Sequence, residues 1–314
     1  MSEITFDSMG STIRIVAEAP LAHGAEPTAA LAGARAWTED FAWRLSRFVA
    51  DSELSRLNAD PRAVVPASPL LRAAVGAATW AAQRTDGLID PTLVGALEAA
   101  GYRDSRVGVA AAPLADALAS APERRPAHPR PDRAWRAVRV LGDAIERPPG
   151  VRLDSGGTGK GLAADALLVQ LAGFGRVAVD CGGDVRIGGP LAASRPFQVD
   201  VQHPLTGDIV ISMELGGGGI ATSGLDRNVW QRADGSFAHH LLDPSTGEPA
   251  WTGLVGATAL APSALEAETL AKAALLSGPE RGRALLAEHG GVLFTEDGGF
   301  EAVGVLARAE AVAA

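Results

Sequence analysis

The glycine-rich segment 151–165 holds the residues whose types and spacing best suit chemistry on a phosphorylated ligand. It reads V-R-L-D-S-G-G-T-G-K-G-L-A-A-D, so Asp154 is followed by several glycines and by Lys160. Glycines let a large anion approach the backbone, and the N–H groups of a helix start carry partial positive charge. The segment therefore predicts a phosphate-binding loop. For the loop considered alone, a surface turn with a solvated lysine remains the alternative.

Two known phosphate-binding patterns can be compared with this segment. A P-loop requires a glycine at the position of Asp154 and a Ser or Thr at the position of Gly161, so a P-loop is excluded. Residues 159–164 match the dinucleotide pattern G-x-G-x-x-A, and a strand predicted at 176–180 ends in Asp180. A Rossmann-type NAD(P)-dependent oxidoreductase therefore stays open, although the mid-chain position and the glycine-rich hairpin sequence that follows do not favour it.

Three further polar clusters could contribute to a site. Residues 85–92 form a rigid turn, and residues 180–184 repeat the order of strand, acid and glycines. His240 precedes an Asp-Pro turn, where an imidazole could act as a base, although one of two adjacent histidines is more often structural or solvated. Glu268 and Lys272 lie four residues apart on a mostly apolar helix. This spacing allows an exposed ion pair or a Glu268 side chain that points into a site.

The elements that position these residues follow from hydrophobic periodicity and turn residues. Alternation predicts a hairpin or a bulged strand over 4–16. It also predicts strands over 135–140, 150–153, 176–180 and 196–204, and two short strands within 290–303. Helical spacing predicts helices over 28–48, 70–83, 162–171 and 264–277. Ser52 and Ser263 are expected to cap helices. The glycine-rich loop is therefore expected to connect a strand to a helix.

Composition limits the classes of function. The chain has 314 residues, of which 47% are hydrophobic and 21% charged, as is typical of a folded globular protein. Its net charge of −9 argues against nucleic acid as the main partner. One cysteine excludes an internal disulfide framework. The Pro- and Arg-rich segment 121–134 is expected to be an exposed linker. No secretion signal or membrane-spanning stretch is visible, so a cytoplasmic location is expected.

Seven ordered motifs resemble those of the FAD:protein FMN transferases, the ApbE-type flavin transferases. The matching segments are Met9–Ser11, Ser52–Asn58, Thr85–Pro91, Asp154–Gly161, Gly182–Asp184, Ala221–Gly224 and His240–Gly247. They cover nearly the whole chain, and their order is more specific than any single motif.

The resemblance implies a single flavin transferase-like domain over 1–314. Its fold would be α+β, with mixed, largely antiparallel sheets, packed helices and a central FAD cleft. It implies a magnesium-dependent reaction that moves FMN from FAD to a Ser or Thr hydroxyl of a target flavoprotein and releases AMP. The partners would be FAD and that flavoprotein.

The resemblance also assigns roles to individual residues. The expected FAD contacts are Met9, Phe48, Leu88, Ile89, Asp90, Asp154, Lys160, Thr222, Ser223 and Leu241. His240 is similar to the family's catalytic histidine and would take the proton of the acceptor hydroxyl. A metal ion and Lys160 would neutralise the pyrophosphate, because phosphoryl transfer depends mainly on positioning and charge neutralisation.

The expected metal site departs from the family pattern. That pattern has an Asp on the late helix, a Thr one turn later and a backbone carbonyl of the glycine loop, here Gly157. This chain has Glu268 and Lys272 at the two helix positions. A carboxylate can bind magnesium, but an ammonium group has no lone pair. The sequence therefore predicts either a transferase with an altered metal requirement or an FAD-binding relative that does not transfer.

Overall fold

A large antiparallel sheet forms the centre of the fold in the computed structural model, which describes residues 2–21 and 26–307. Its eight strands lie in the order β1-β2-β6-β7-β10-β13-β14-β15. They are β1 Ser2–Ser8, β2 Ser11–Pro20, β6 Phe174–Cys181, β7 Asp184–Gly188, β10 Gly218–Gly224, β13 Leu254–Ala261, β14 Gly291–Thr295 and β15 Phe300–Val303. All of its strand pairs are antiparallel.

Smaller sheets and seven assigned helices complete the described part. The remaining strands are β3 Val64–Pro66, β4 Arg139–Leu141, β5 Ala144–Glu146, β8 Phe197–Gln202, β9 Ile209–Leu215, β11 Val229–Gln231 and β12 Phe237–His239. The helices are α1 Pro27–Leu45, α2 Glu53–Ala59, α3 Pro69–Arg84, α4 Val94–Ala99, α5 Leu114–Ser120, α6 Gly159–Gln170 and α7 Ala264–Leu286. This mixture of helices and antiparallel sheets confirms the predicted α+β class.

Helices α1, α6 and α7 pack side by side against the large sheet. Strand β13 is buried at every position, and α7 covers both it and β10. One cluster of buried side chains joins α7 to β10, β13 and β14, and a second joins α1, α2, α3 and α6 to β2 and β6. These two apolar clusters hold the loops at the ends of β6, β10 and α6 in fixed positions.

The predicted caps and hairpin are present. The Ser52 and Ser263 hydroxyls accept hydrogen bonds from the N–H groups of Ser55 and Glu266 at the starts of α2 and α7. Two strand pairs, β1–β2 and β6–β7, are joined by two-residue turns with positive φ throughout. These turns are Met9–Gly10 and Gly182–Gly183. Such turns match the twist of the paired strands, so they place both loops firmly at one end of the sheet.

Two expected strands differ from the structure. The chain over 150–153 forms no strand, because the side-chain amide of Asn58 hydrogen-bonds both the N–H and the carbonyl of Leu153 at 2.7 and 2.8 Å. The strand expected over 135–140 is reduced to β4, and Trp135 lies in a single 3-10 turn. Helix α7 also continues beyond Ser277, with a break in helical geometry at Gly278, where φ is 74°.

The sheet topology decides against the Rossmann alternative. A dinucleotide-binding fold requires parallel strands joined by a crossover helix. Here β6 follows α6 but pairs antiparallel with β2 and β7, and no strand precedes the glycine-rich loop directly. Asp180 lies on β6 and its side chain accepts a hydrogen bond from the Gly183 N–H at 2.8 Å. It therefore closes a hairpin turn in this fold.

The Pro- and Arg-rich segment 121–134 is exposed at half of its positions and is attached to the body of the protein. The N–H groups of Arg125 and Ala127 donate to the carbonyls of Trp251 and Leu276, and the Ala127 side chain is buried. The His128 N–H donates to the Asp243 carboxylate at 3.0 Å. These bonds attach the segment beside α7 and the chain that follows His240.

Within residues 2–21 and 26–307, no helix combines the length and the apolar content needed to cross a membrane.

Candidate active site

A cleft of about 840 Å³ lies among the loops at one end of the large sheet. Cavities of a few hundred to about 1,000 Å³ are typical of small-molecule and cofactor sites. Its walls come from the β1–β2 and β6–β7 turns, the chain after α1, the turn after α3, the glycine-rich loop, β10 and α7. The cleft therefore gathers segments from nearly the whole length of the sequence.

Most of the predicted site residues meet in this cleft. Those that line it are Met9, Phe48, Leu88, Ile89, Asp90, Asp154, Gly157, Lys160, Thr222, Ser223, His240, Leu241 and Lys272. Glu268 is fully buried and does not line the cleft, because it lies behind Lys272.

The glycine-rich loop presents free backbone donors to the cleft. The N–H groups of Gly157, Gly159 and Lys160 donate to no protein acceptor in the described part of the chain, and all three residues line the cleft. Gly161 differs, since its N–H donates to Glu268 Oε2 at 2.8 Å. A Cβ on Gly161 would lie 2.6 Å from the Ala264 carbonyl oxygen. This glycine therefore allows α6 to approach α7 and does not widen the anion site.

Lys160 forms an ion pair with the first residue of β7. Its Nζ lies 2.8 Å from Asp184 Oδ2, and Asp184 is almost completely buried whereas 26% of the Lys160 side chain is exposed. Burial lowers the pKa of Lys160, but the charges of Asp184 and Glu268 outweigh it and raise this pKa above its ordinary value. Lys160 is therefore protonated, and its positive charge lies at the cleft wall.

Lys272 forms a second ion pair, which is more deeply buried than that of Lys160. Its Nζ lies 2.7 Å from Glu268 Oε1, with 10% of the Lys272 side chain and none of the Glu268 side chain exposed. Burial raises the pKa of Glu268, and the ammonium groups of Lys272 and Lys160 oppose that effect. Because Lys272 lines the cleft and Glu268 does not, a ligand would meet the ammonium group first.

The two neighbouring histidines occupy different environments, since successive residues at a strand end point in opposite directions. His239 is fully buried, packs edge-on against Trp251 at 4.6 Å and accepts a hydrogen bond from the Leu241 N–H. His240 lines the cleft. Burial, followed by the charges of Lys272 and Lys160, lowers the pKa of His240 to about 4. Its imidazole is therefore neutral at neutral pH, and its buried Nδ1 has no hydrogen-bond partner in the described structure.

Two further polar groups lie in the cleft wall. Asp90 Oδ1 accepts from the N–H and hydroxyl of Thr92, whereas its buried Oδ2 has no partner among the described residues. Burial raises the pKa of Asp90. On β10, Thr222 Oγ1 lies 2.8 Å from Thr258 Oγ1 of β13. The free oxygen of Asp90 and the hydroxyl of Thr222 can hydrogen-bond a polar ligand.

An aromatic cluster, defined by Arg47, Phe48, Tyr102, Arg106 and Trp230, forms another part of the site. The Arg47 guanidinium lies 4.2 Å from the Phe48 ring centre and 4.7 Å from that of Tyr102. Tyr102 is 5.4 Å from Phe48 and 5.6 Å from Trp230, measured between ring centres. Arg47 Nε also lies 3.4 Å from Asp154 Oδ2. The cluster offers flat surfaces suited to a planar ring system.

Sequence reasoning missed several contributors. Asp184 was visible in the repeated pattern of strand, acid and glycines, but nothing in that pattern indicated its pairing with Lys160. Tyr102 is the single tyrosine of the chain and stands in no motif. Arg47 could have been found from its position beside Phe48. Asn58 ends a recognised motif, yet its hydrogen bonds to Leu153 depend on the tertiary structure.

The predicted metal ligands can be tested against this geometry. Both Glu268 oxygens already accept hydrogen bonds, one from Lys272 and one from Gly161. The described residues include no group of three His, Cys, Asp or Glu side chains placed to hold a metal ion. An ammonium group beside the carboxylate would repel a cation. In this arrangement the pair Glu268 and Lys272 does not fit a divalent cation.

Comparisons with known proteins identify relatives of this chain. The FAD:protein FMN transferase of Salmonella typhimurium is 29% identical over 271 residues, which cover 80% of this chain and 72% of that protein. The protein of the same name from Klebsiella pneumoniae is 34% identical over 146 residues, 45% of this chain. That second match spans 41% of the relative's length.

Two solved structures share the fold. The ApbE protein of Thermotoga maritima has a TM-score of 0.78 and 25% identity, with 96% of each chain covered. The flavinyl transferase ApbE of Pseudomonas stutzeri, in its apo form, has a TM-score of 0.75 and 25% identity, with 98% of this chain and 96% of that chain covered. Because the sequence profile of the ApbE family matches residues 9–294, this chain belongs to the ApbE family.

Proposed function

We propose that this chain is an FAD:protein FMN transferase, which moves FMN from FAD to a Ser or Thr hydroxyl of a target flavoprotein and releases AMP. One observation carries the proposal: a cleft of dinucleotide size holds free backbone N–H groups, two ammonium groups and a neutral histidine together. Family membership and the names of its relatives support it.

The charges of the cleft suit the pyrophosphate of FAD. Lys160 and the N–H groups of Gly157 and Gly159 donate to its oxygens, as at other anion sites built on a helix start. Lys272 adds a second positive charge. The remaining predicted contacts, including Asp90, Thr222 and Ser223, hydrogen-bond the sugar and ring portions of FAD. The aromatic cluster and Met9 hold a planar ring.

The transfer step uses His240 as the base. The oxygen of the acceptor hydroxyl forms a bond to the phosphorus of the FMN half. The bond between that phosphorus and the AMP phosphate oxygen breaks, and AMP leaves with the electron pair. The hydroxyl proton moves to His240, which burial and the nearby lysines keep neutral and ready to accept it. Lys160 and Lys272 stabilise the charge on the leaving phosphate.

The finer predictions belong to this proposal. Residues 1–314 act as one flavin transferase-like domain, which is supported by strands from both ends of the chain joining one sheet. The metal requirement differs from the predicted magnesium site of Gly157 and Glu268, because Lys272 occupies that site. The acceptor flavoprotein is cytoplasmic, as is this chain. Subcellular fractionation of the producing cells tests the location.

The test incubates the purified full chain with FAD and a flavoprotein domain that carries an acceptor threonine, with magnesium or with EDTA. AMP and covalently bound flavin are measured together. Equal amounts of AMP and labelled acceptor support the transferase. Replacement of the acceptor threonine by valine is the control and abolishes labelling. FAD binding without AMP under either condition contradicts transfer and leaves the alternative of an FAD-binding relative.

A further inference from the structure

Both lysines of the chain lie in the cleft. Lys160 and Lys272 are the only lysines in the sequence, although lysine and arginine together number 28. Both line the cleft, and each is paired with a buried carboxylate. Arginine presents a planar fork of donors, whereas the ammonium group of lysine is a compact point charge with three donors. The chain therefore uses this compact charge at two cleft positions and arginine at every other basic position.

The position of Lys272 is fixed from behind. Glu268 lies one helical turn earlier on α7 and accepts from Lys272 through Oε1. Its other oxygen accepts from the Gly161 N–H at the start of α6. The carboxylate thus connects the two helices and holds the ammonium group at the cleft wall. A buried and paired side chain of this kind loses little further freedom when a ligand binds.

The spatial order of the charges favours an anion in front of Lys272. Asp184 and Glu268 are almost completely buried behind the two ammonium groups, whereas Lys160 and Lys272 line the cleft. The free N–H groups of Gly157, Gly159 and Lys160 add partial positive charge. A dinucleotide pyrophosphate carries two negative charges, and a divalent cation would otherwise be needed to compensate them.

We propose that the Lys272 ammonium group, held by Glu268 and Gly161, replaces a divalent cation in this cleft, so that the chain binds the pyrophosphate of FAD without a metal ion. This inference rests on the proposed function for the identity of the ligand. It follows from the misfit of Glu268 and Lys272 to a divalent cation. An ammonium group supplies positive charge and hydrogen-bond donors, but it requires no coordinating oxygens.

The first experiment measures FAD affinity of the metal-free full chain by quenching of flavin fluorescence. The wild-type protein is expected to show the same dissociation constant in EDTA as in magnesium. FAD binding is also expected to protect Lys160 and Lys272 from an amine-modifying reagent in EDTA, as read by mass spectrometry. A wild-type affinity that falls in EDTA and recovers with magnesium overturns the inference.

Variants then identify Lys272 as the source of the effect. Lys272→Met is expected to weaken FAD binding about ten- to hundredfold, because one charge-assisted hydrogen bond is lost. Since the single variant leaves Glu268 buried without its partner, the double variant Glu268→Gln with Lys272→Met removes both charges and should show the same weakening. Arg14→Met removes a positive charge outside the cleft and is the control. Wild-type affinity in the folded double variant overturns the inference.

A third variant converts the site. Glu268→Asp with Lys272→Thr replaces the ion pair by two oxygen donors, so FAD binding should become dependent on magnesium. The inference is contradicted if this variant binds FAD with equal affinity in EDTA and in magnesium. AMP release is measured alongside and separates the two hypotheses. Metal-independent binding without AMP contradicts the transferase alone, whereas AMP release by the wild type only with magnesium contradicts the inference alone.

Discussion

Two parts of the cleft are built on different physical principles. The charged cluster is defined by Lys160, Asp184, Glu268, Lys272 and His240. Its members Asp184, Glu268 and Lys272 are buried, whereas Lys160 and His240 are partly exposed to the cleft. The aromatic cluster consists of mutually tilted rings and guanidinium groups, in which Phe48 is 37% exposed and Trp230 is buried on β11. Removal of one partner of a buried ion pair is strongly destabilising, whereas one aromatic contact contributes only about 0.5–1.5 kcal/mol beyond its buried area. Under the proposed function, we therefore expect the charged cluster to control the chemistry and the aromatic cluster to control ring binding.

The strongest test of this division is the removal of the base. His240→Ala is expected to slow FMN transfer about 10²- to 10⁴-fold, because the acceptor hydroxyl loses its proton acceptor. FAD affinity should change little, since the neutral imidazole contributes no charge. Rates of AMP release and covalent flavin formation measure the first effect, and fluorescence titration measures the second. His289→Ala, outside the cleft lining, is the control. Transfer by His240→Ala at the wild-type rate would remove His240 from the mechanism.

Removal of Lys160 separates binding from stability within the charged cluster. Lys160→Met is expected to weaken FAD binding about ten- to hundredfold. It should also lower the free energy of unfolding by about 3–5 kcal/mol, because Asp184 is left buried and unpaired. Lys160→Met with Asp184→Asn should recover stability but not affinity. Urea unfolding and FAD titration distinguish the two effects, and recovery of affinity in the double variant would contradict the role of Lys160.

A pair of glycine variants tests whether the charged cluster depends on close packing of its helices. Gly161→Ala is expected to destabilise the fold by about 1–3 kcal/mol, because the new methyl group meets the Ala264 backbone. Gly76 also lies within a helix, but a Cβ added there would have no neighbouring atom within 4 Å. Gly76→Ala should therefore raise the free energy of unfolding by up to about 1 kcal/mol. Urea unfolding measures both. Equal effects of the two variants would show that α6 and α7 do not approach as described.

The aromatic cluster should give a smaller effect that is confined to binding. Phe48→Ala is expected to raise the FAD dissociation constant about two- to tenfold, with the rate of AMP release at saturating FAD unchanged. Trp80→Ala is a matched control, because Trp80 is 38% exposed and lies outside the cleft lining. A lower saturated rate in Phe48→Ala would contradict the division between the two clusters.

The smallest expected change concerns pH. A general base must be deprotonated, and the pKa of His240 is lowered to about 4, chiefly by burial. The transfer rate should therefore stay level as pH falls from about 8 to about 5.5, instead of falling through the ordinary histidine pKa of about 6.5. Burial also raises the pKa of Glu268 to about 7 behind the cleft wall, so Glu268→Gln is the control. A fall near pH 6.5 that persists in Glu268→Gln would contradict a neutral, buried His240.

Much of the fold and site followed from local patterns. Local interactions determine the Ser52 and Ser263 caps, the hairpin at Met9 and the start of α6 beside the glycine-rich loop. Each of these features depends on residues that are close in sequence. The seven motifs were sufficient for the family resemblance that the comparisons confirm. Thirteen of the fourteen site residues that the resemblance implied, all but Glu268, line one cleft.

The sequence by itself therefore determined the family, the α+β class and most of the lining of the cleft. Only the tertiary structure decided which groups distant in sequence pair, and that the pair of Glu268 and Lys272 is buried. Asn58 holds Leu153 across 95 residues, and Gly161 donates to Glu268 across 107 residues. Such pairs depend on the order of strands in the sheet and on the approach of α6 to α7, which no local periodicity encodes. For that reason the sequence located Lys272, but only the structure gave it a buried partner and a place at the cleft wall.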